Sequence, residues 1–522
     1  MNDAFGLLGC AGLLGLAYLL RAIPNWLSPH GLGVDHWYWK SYIEEYRRSR
    51  RFPPELLQYL LDEAQWYPPL FPLLLSRLPA IWFDRFSSQI AIFVDLARMT
   101  LLLAVAAWQT AGHWTIILMA GLVYATTPIQ VSYNVQLNPR GLAAIMLDAL
   151  LVTLLWIYQG GPSWAWGAAA VLGGLVLLTH KMTSQLFWFL VLGTAVIYRW
   201  WALLLLIPGA IAVALLMSRG FYMNVLRAHF DIVAFWMRNW QWVGADPIRE
   251  SPVYGDGRYE RPQKLHKAGL RGFLWHCFIL FGFNPAAWIS GVLIYERLFM
   301  DSALLIYPTP FLVWLLLTCG FAWLTTFVPR LKCLGAGYLY VYNTSLLASL
   351  IVALTFEFTR APQLSTPFVF VAILLNVGGV LVYYRQTLWD TRTRVDDGLM
   401  LMIEELRGLP AGVVMCIPSH WCEVVTYKTG HPVLWGAHGY GFKLIEPTWP
   451  RLLLPIGEII HRYKVRYLLT MDEMLPPNFE SDLPAGPDTR HGKYRLYRFS
   501  EESSRMSSPS PAVEALNVVA SR

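Results

Sequence analysis

The sequence predicts a polytopic α-helical membrane protein, with about eleven transmembrane helices followed by a soluble α/β domain. Three observations predict it. Hydrophobic residues make up 56% of the 522 and charged residues only 14%, with a mean hydropathy of +0.41, far from the balance of a water-soluble globule. The charges cluster between apolar runs, as a bilayer requires when a charge at its centre costs roughly 2.5 kcal/mol or more. The 24 Trp and 26 Tyr often flank those runs, as Trp200 and Trp201 do after Arg199, at the depth where amphipathic rings sit best.

Residues 4–23 are long and apolar enough to span. They run into Arg21 and Pro24 with no small-residue cleavage site, and so read as a retained first helix. A first polar interval, 24–87, follows. In it Trp39, Tyr42, Ile43 and Tyr46 recur at helical spacing while Lys40, Glu44, Arg47, Arg48 and Arg51 take other faces, which predicts a helix on a membrane surface. A second short helix is expected over Glu55 to Ala64. The stretch Tyr67 to Phe83 is apolar but broken by Pro68, Pro69, Pro72 and Pro79, so it reads as re-entrant or interfacial.

Further spans are expected near 88–108, 113–130, 140–158, 165–180, 184–198 and 201–217, then, after a second large loop at 218–271, near 273–295, 304–328, 334–355 and 365–386. The transmembrane part thus covers 1–388, and an odd number of crossings puts the first loop and the C-terminal domain on one side. The soluble domain, 389–500, reads as α/β. Asp396 and Asp397 open a helix through Leu406, Val413 to Ile417 is a strand, Leu452 to Tyr463 a helix, and Val465 to Leu469 and Tyr494 to Phe499 strands. The Ser- and Pro-rich tail 501–522 reads as disordered.

Several functions are disfavoured. The net charge of +7 on so apolar a chain points to anionic membrane lipid rather than nucleic acid. A P-loop is absent, which argues against a nucleotide-driven motor. His420, Cys422, His431 and His438 match no tight zinc spacing, so no metal site is assigned. Six cysteines make no disulfide framework; Cys416 and Cys422 could pair in an oxidising space, but read first as two ordinary buried thiols.

The most informative segment is Gly33-Val34-Asp35-His36-Trp37-Tyr38-Trp39. A carboxylate beside an imidazole, among aromatic rings at headgroup depth, suits deprotonation of a hydroxyl at the water–lipid boundary, which makes Asp35 the candidate base with His36 beside it. The plain alternative is that Asp35 only caps the helix starting at His36, and local sequence leaves both open. In Gln65-Trp66-Tyr67-Pro68-Pro69-Leu70 the paired prolines steer the chain back to the membrane.

This order of features, one membrane helix, an acid opening the first large loop, a surface helix and a Tyr-Pro-Pro-Leu return, resembles the GT-C superfamily of membrane glycosyltransferases, especially the branch of protein O-mannosyltransferases and lipid A aminoarabinose transferases. The resemblance implies that the matching acid, Asp35, acts as or assists the catalytic base. Relatives often carry a second acid where His36 stands, and a Lys where Tyr67 stands, so Tyr67 is kept as a substrate-binding position without the phosphate contact. Cations for a lipid phosphate then come from Arg140 in Asn138-Pro139-Arg140 and from His180-Lys181, all at expected membrane edges; the alternative is that they snorkel as interfacial anchors. Asp148, alone in a span, is a secondary substrate-binding candidate. Asp95 and Arg98, three apart in a span, suggest function as intramembrane charges, with a mere pairing on one helix face as the alternative.

What the resemblance implies is transfer of a sugar from a polyprenyl-phosphate-linked donor to an acceptor hydroxyl on a lipid, glycan or protein, outside the cytoplasm at a bacterial inner membrane. No cofactor is demanded; a divalent cation stays open. The basic residues Arg47, Arg48, Arg50 and Arg51 run against that orientation, since positive loops normally stay inside, though the rule weakens for loops near about 60 residues. A transporter or flippase using Asp95, Arg98 and Asp148 as a path is the rival reading. A non-catalytic partner in envelope assembly is the third.

Overall fold

In the computed structural model the described residues are 3–28, 30–60, 66–258, 269–291, 309–358, 362–389, 395–435, 444–483 and 486–499. The chain divides into two compact units. The first comprises 1–39, 66–241 and 262–394, and the second 40–65, 242–261 and 395–522. The tail expected to be disordered, the third histidine of the set above (His438) and the expected span start near 304 fall outside the described residues.

The first unit is helical. Six helices are long and apolar enough to cross a membrane: Asp3–Trp26, Ile90–Gln109, Arg140–Tyr158, Pro310–Phe327, Gly337–Leu354 and Pro367–Thr387. Two more segments qualify only as bent pairs, Trp201–Met217 with Tyr222–Trp242 and Gly269–Phe283 with Pro285–Gly291, and Trp114–Ala125, Ala165–Leu177 and Lys181–Ile197 are shorter apolar helices. The chain is thus an integral membrane protein whose long apolar helices number six to eight among the described residues, fewer than the eleven expected from hydropathy, because several apolar runs break early. The span expected over 113–130 ends at Ala125 and restarts at Pro128 as the short helix Pro128–Tyr133.

Packing between these helices follows small residues. A Cβ on Gly174 would lie 2.6 Å from Val213 Cγ1, so only glycine lets Ala165–Leu177 approach Leu206–Met217 this closely, the usual device where helices pack in lipid. The buried charges are neutralised between helices. Arg21 donates to Asp95, and Tyr124 donates to the other oxygen of Asp95 at 2.7 Å. Arg98 donates to Asp148 at 2.5 Å and to the Tyr342 carbonyl at 3.1 Å. The pairing of Asp95 with Arg98 that their spacing allows is therefore not what forms. Each has a partner on another helix that shortens the distance over which its charge stays uncompensated.

The second unit contains a four-stranded sheet in the order β1-β2-β4-β3, with β1 Val413–Cys416, β2 Val465–Met471, β3 Thr489–His491 and β4 Tyr494–Arg498. β1 and β2 are parallel, while β4 runs antiparallel to both β2 and β3. Asp396 caps the helix Asp397–Arg407, its carboxylate accepting from Leu399 N at 2.9 Å, as its place before an apolar periodic run dictates. The helix expected from Leu452 begins only at Ile456. Extended Pro455 precedes it, and Leu452 N is already committed to the Pro247 carbonyl at 2.8 Å.

Two expectations in the first loop are corrected here. The helix expected from Glu55 is absent over the described residues 55–60. Leu56–Tyr59 form a turn, and Tyr59 bridges Val433 in parallel, with Val433 N donating to Gln58 O at 2.8 Å. The helix Asp35–Ser49 forms as expected, but its first two turns do not lie on a surface: Trp37, Tyr38, Trp39, Tyr42 and Ile43 are all buried. Aromatic side chains on several faces demand burial on several faces, and only its later, Arg-rich turns reach the exterior.

Candidate active site

Within the first unit the ends of four segments carry the candidate residues. Asp35 is the first residue of Asp35–Ser49, where a carboxylate complements the positive end of the helix, and it is partly exposed. The turn that delivers it depends on Gly33, whose φ is +80° and whose absent Cβ would fall 1.7 Å from Gln136 Oε1. Glycine alone meets both the left-handed backbone and the close approach. Gly33 thereby seats the Asp35 turn against the loop that leads to Arg140. His36 is buried, its ring edge-on to Trp37 at 5.0 Å between centroids.

Tyr67 is buried against Trp39, with ring centroids 4.9 Å apart. The return after it is tied down where Leu70 N donates to Leu178 O at 2.8 Å, which brings the Tyr-Pro-Pro-Leu segment to the turn carrying His180 and Lys181. The Lys181 ammonium stands 5.8 Å from the centre of the Tyr67 ring. Burial, together with the Asp35 charge, pushes the Tyr67 phenol well above its ordinary value despite the opposing influence of Arg140, so it is a neutral hydroxyl at any physiological pH.

Arg140 opens the helix Arg140–Tyr158, its amide bonded to Asn138 Oδ1 at 3.0 Å. Its guanidinium carbon lies 4.5 Å from the Tyr133 ring centre and 5.9 Å from that of Tyr342. Its Nη1 is buried with no hydrogen-bond partner among the described residues. His180 caps the helix Lys181–Ile197, Nδ1 accepting from Thr183 N at 3.3 Å, so in the neutral ring the proton resides on Nε2.

These side chains share one electrostatic field. Asp35 acts on both Tyr67 and Lys181, and Arg140 acts on Tyr67, His180 and Lys181. The structure therefore brings Tyr67 and Lys181 together, with Asp35 within electrostatic reach of both and Arg140 within reach of Tyr67, His180 and Lys181. Asp148 does not join them, being held by Arg98. Sequence reasoning passed over Gln185, His229 and Tyr340. Gln185 Nε2 lies 2.9 Å from His229 Nε2, and its Oε1 accepts from the Tyr340 hydroxyl. Gln185 follows Lys181 by one helical turn, which is the one local signal that could have drawn it in. Among the described residues no group of three or more His, Cys, Asp or Glu is placed to hold a metal ion.

No family model and no curated protein matches the sequence. Solved structures do match the fold. The apo oligosaccharyltransferase of Archaeoglobus fulgidus superposes with a TM-score of 0.56 at 12% identity, over 91% of this chain and 70% of that one. Its complex with an inhibitory peptide and a dolichol-phosphate gives 0.51 at 12% identity, over 90% and 70%. ArnT from Cupriavidus metallidurans bound to undecaprenyl phosphate gives 0.53 at 10% identity, over 98% of this chain and all of that one. Such identities speak for architecture alone, and the architecture shared with the oligosaccharyltransferase and ArnT structures spans nearly the whole chain.

Proposed function

We propose that the protein is a glycosyltransferase that moves a sugar from a polyprenyl-phosphate-linked donor to the hydroxyl of a lipid, glycan or protein acceptor on the extracytoplasmic side of a bacterial inner membrane. In this reading Trp201–Met217, Gly269–Phe283 and the three shorter apolar helices cross the bilayer with the six long ones, which restores the eleven spans of the hydropathy pattern and, their number being odd, sets the first loop and residues 389–500 on one side. The observation that carries it is the Lys181 ammonium 5.8 Å from the centre of the Tyr67 ring, with the charges of Asp35 and Arg140 reaching both residues. The neighbouring folds bound to dolichol-phosphate and undecaprenyl phosphate support a lipid phosphate as the anion.

The reaction is a displacement at the anomeric carbon. The acceptor hydroxyl attacks, Asp35 takes its proton, and the bond from the anomeric carbon to the phosphate oxygen breaks with its electron pair leaving on the lipid phosphate. Arg140 and Lys181 meet the charge that develops there, and Tyr67 presents a neutral hydroxyl and ring beside them. His36 and His180 shape the site, the first next to the base and the second as the cap that fixes Lys181. The rival path reading loses its main support, because Asp95, Arg98 and Asp148 are already paired internally.

The test is Asp35→Asn in proteoliposomes with a labelled polyprenyl-phospho-sugar. Release of free lipid phosphate is expected to fall by about 100-fold or more, the usual scale for a lost general base. Undiminished release from a folded variant would remove the assignment. Labelling of single cysteines placed within 40–60 from outside intact cells tests the side, and protection there reverses the orientation.

A further inference from the structure

The helix Tyr222–Asn239 has two faces of different chemistry. Tyr222, Val225, Ala228, Ile232 and Phe235 are buried in the first unit. Met223, Phe230 and Met237 are exposed, Phe230 by 66%, and at helical periodicity their spacing of seven places them on one narrow stripe. Exposed Arg227, Asp231 and Arg238 follow along one edge of that stripe. The helix comes directly after the apolar segment Trp201–Met217, and its axis turns from it by 119°. If that segment crosses the membrane, Tyr222–Asn239 runs closer to the membrane plane than to its normal.

We propose that Tyr222–Asn239 is an interfacial helix, with Met223, Phe230 and Met237 among the acyl chains and Arg227 and Arg238 on anionic lipid phosphates. Continuity with the bilayer selects this occupant. Leu205, Leu216 and Met217 are exposed on the preceding segment, so the apolar surface of a membrane segment passes into the stripe without a polar break other than the Ser218–Gly220 turn. A helix crossing the hydrocarbon would have to take Arg227, Asp231 and Arg238 with it on an outward face, whereas one lying at the boundary leaves them among headgroups. Two arginines against a single acid give this edge a net attraction for anionic lipid.

The placement reaches the candidate site. His229, on a different face of the same helix, makes the 2.9 Å contact with Gln185 one turn from Lys181, and it is electrostatically coupled to Lys181. A helix resting on headgroups therefore also lines the cation cluster. The inference concerns lipid contact and stands whether or not a sugar is transferred.

The experiment incorporates p-benzoylphenylalanine in place of Phe230 in the full chain, reconstituted in nanodiscs of phosphatidylethanolamine with a minority of phosphatidylglycerol. After irradiation, adducts are identified by mass spectrometry. Lipid adducts at 230 are expected, as at Leu205, the outward control, whereas the same group at buried Ala228 should couple within the chain. Phosphatidylglycerol should be enriched among adducts at 230 over its bulk share, and Arg227→Gln with Arg238→Gln should bring the adducts back to that share. Coupling of position 230 to a second copy, or no lipid adduct there while Leu205 gives one, would overturn the interfacial placement. Adducts at the bulk lipid ratio would overturn the anionic preference.

Discussion

The guanidinium carbon of Arg140 stands 4.5 Å from the centre of the Tyr133 ring, yet its buried Nη1 has no acceptor among the described residues. The ring holds the cation without satisfying that donor. An unmatched buried donor costs about 1–3 kcal/mol, a cost that a phosphate oxygen arriving at Nη1 would cancel. Arg140→Lys keeps the charge but removes the planar fork, and Arg140→Gln removes both. On the proposed reading Arg140→Lys lowers kcat/KM for the polyprenyl-phosphate donor by about tenfold and Arg140→Gln by about a further tenfold, the scale of charged hydrogen bonds. Steady-state kinetics with the donor varied checks the order, and equal activity of all three proteins would separate Arg140 from the phosphate.

Gly33 offers a test that touches no reacting group. Alanine there must adopt φ near +80° and drive its Cβ into the Gln136 side chain. The strain is on the order of 1–3 kcal/mol, and its release shifts the turn that positions Asp35. Gly33→Ala is expected to lower kcat while leaving the affinity for donor lipid nearly intact. Adding Gln136→Gly relieves the overlap but not the backbone strain, so kcat should recover in part. Full activity of Gly33→Ala alone would mean that the turn does not set the position of the carboxylate.

Tyr67 separates ring from hydroxyl. Its ring packs on Trp39 at 4.9 Å and faces the Lys181 ammonium at 5.8 Å. Tyr67→Phe preserves both contacts and is expected to change kcat/KM by less than about fivefold, whereas Tyr67→Ala loses the ring and the order it imposes, at a cost of about 3 kcal/mol or more in stability. A Phe variant as impaired as the Ala variant would assign the hydroxyl to the substrate.

Local signals made part of this legible. Asp396 before an apolar periodic run announces its helix, and it caps it; alternating apolar residues announce β2 and β4. The Gly33–Asp35 segment and the Tyr67 return were visible as breaks in hydropathy, and their approach to Arg140 and Lys181 was expected only through the resemblance. What stayed hidden is long-range. The spacing of Asp95 and Arg98 describes a shared helix face, but the partner each takes depends on which helix packs there, and Arg21 and Asp148 are distant in sequence. Leu56 to Tyr59 has helix-compatible composition and is taken instead by a bridge to Val433, a partner that no window around it contains. His229 reaches Gln185 across 44 positions, so no local pattern could join them.

Asp148 is where a structural and a substrate role can be told apart. Arg98 Nε donates to its Oδ2, and both side chains are fully buried, so removing the carboxylate's charge leaves a guanidinium uncompensated. Asp148→Asn is expected to cost about 3–5 kcal/mol and to appear as a lower Tm in detergent, with kcat/KM of the surviving folded fraction near that of the parent. Replacing both partners together, Asp148→Leu with Arg98→Met, removes the orphaned charge and should restore much of the loss, because an apolar pair of similar volume needs no desolvation to be repaid. A Tm unchanged by Asp148→Asn, with kcat/KM reduced, would move Asp148 from the scaffold to the substrate.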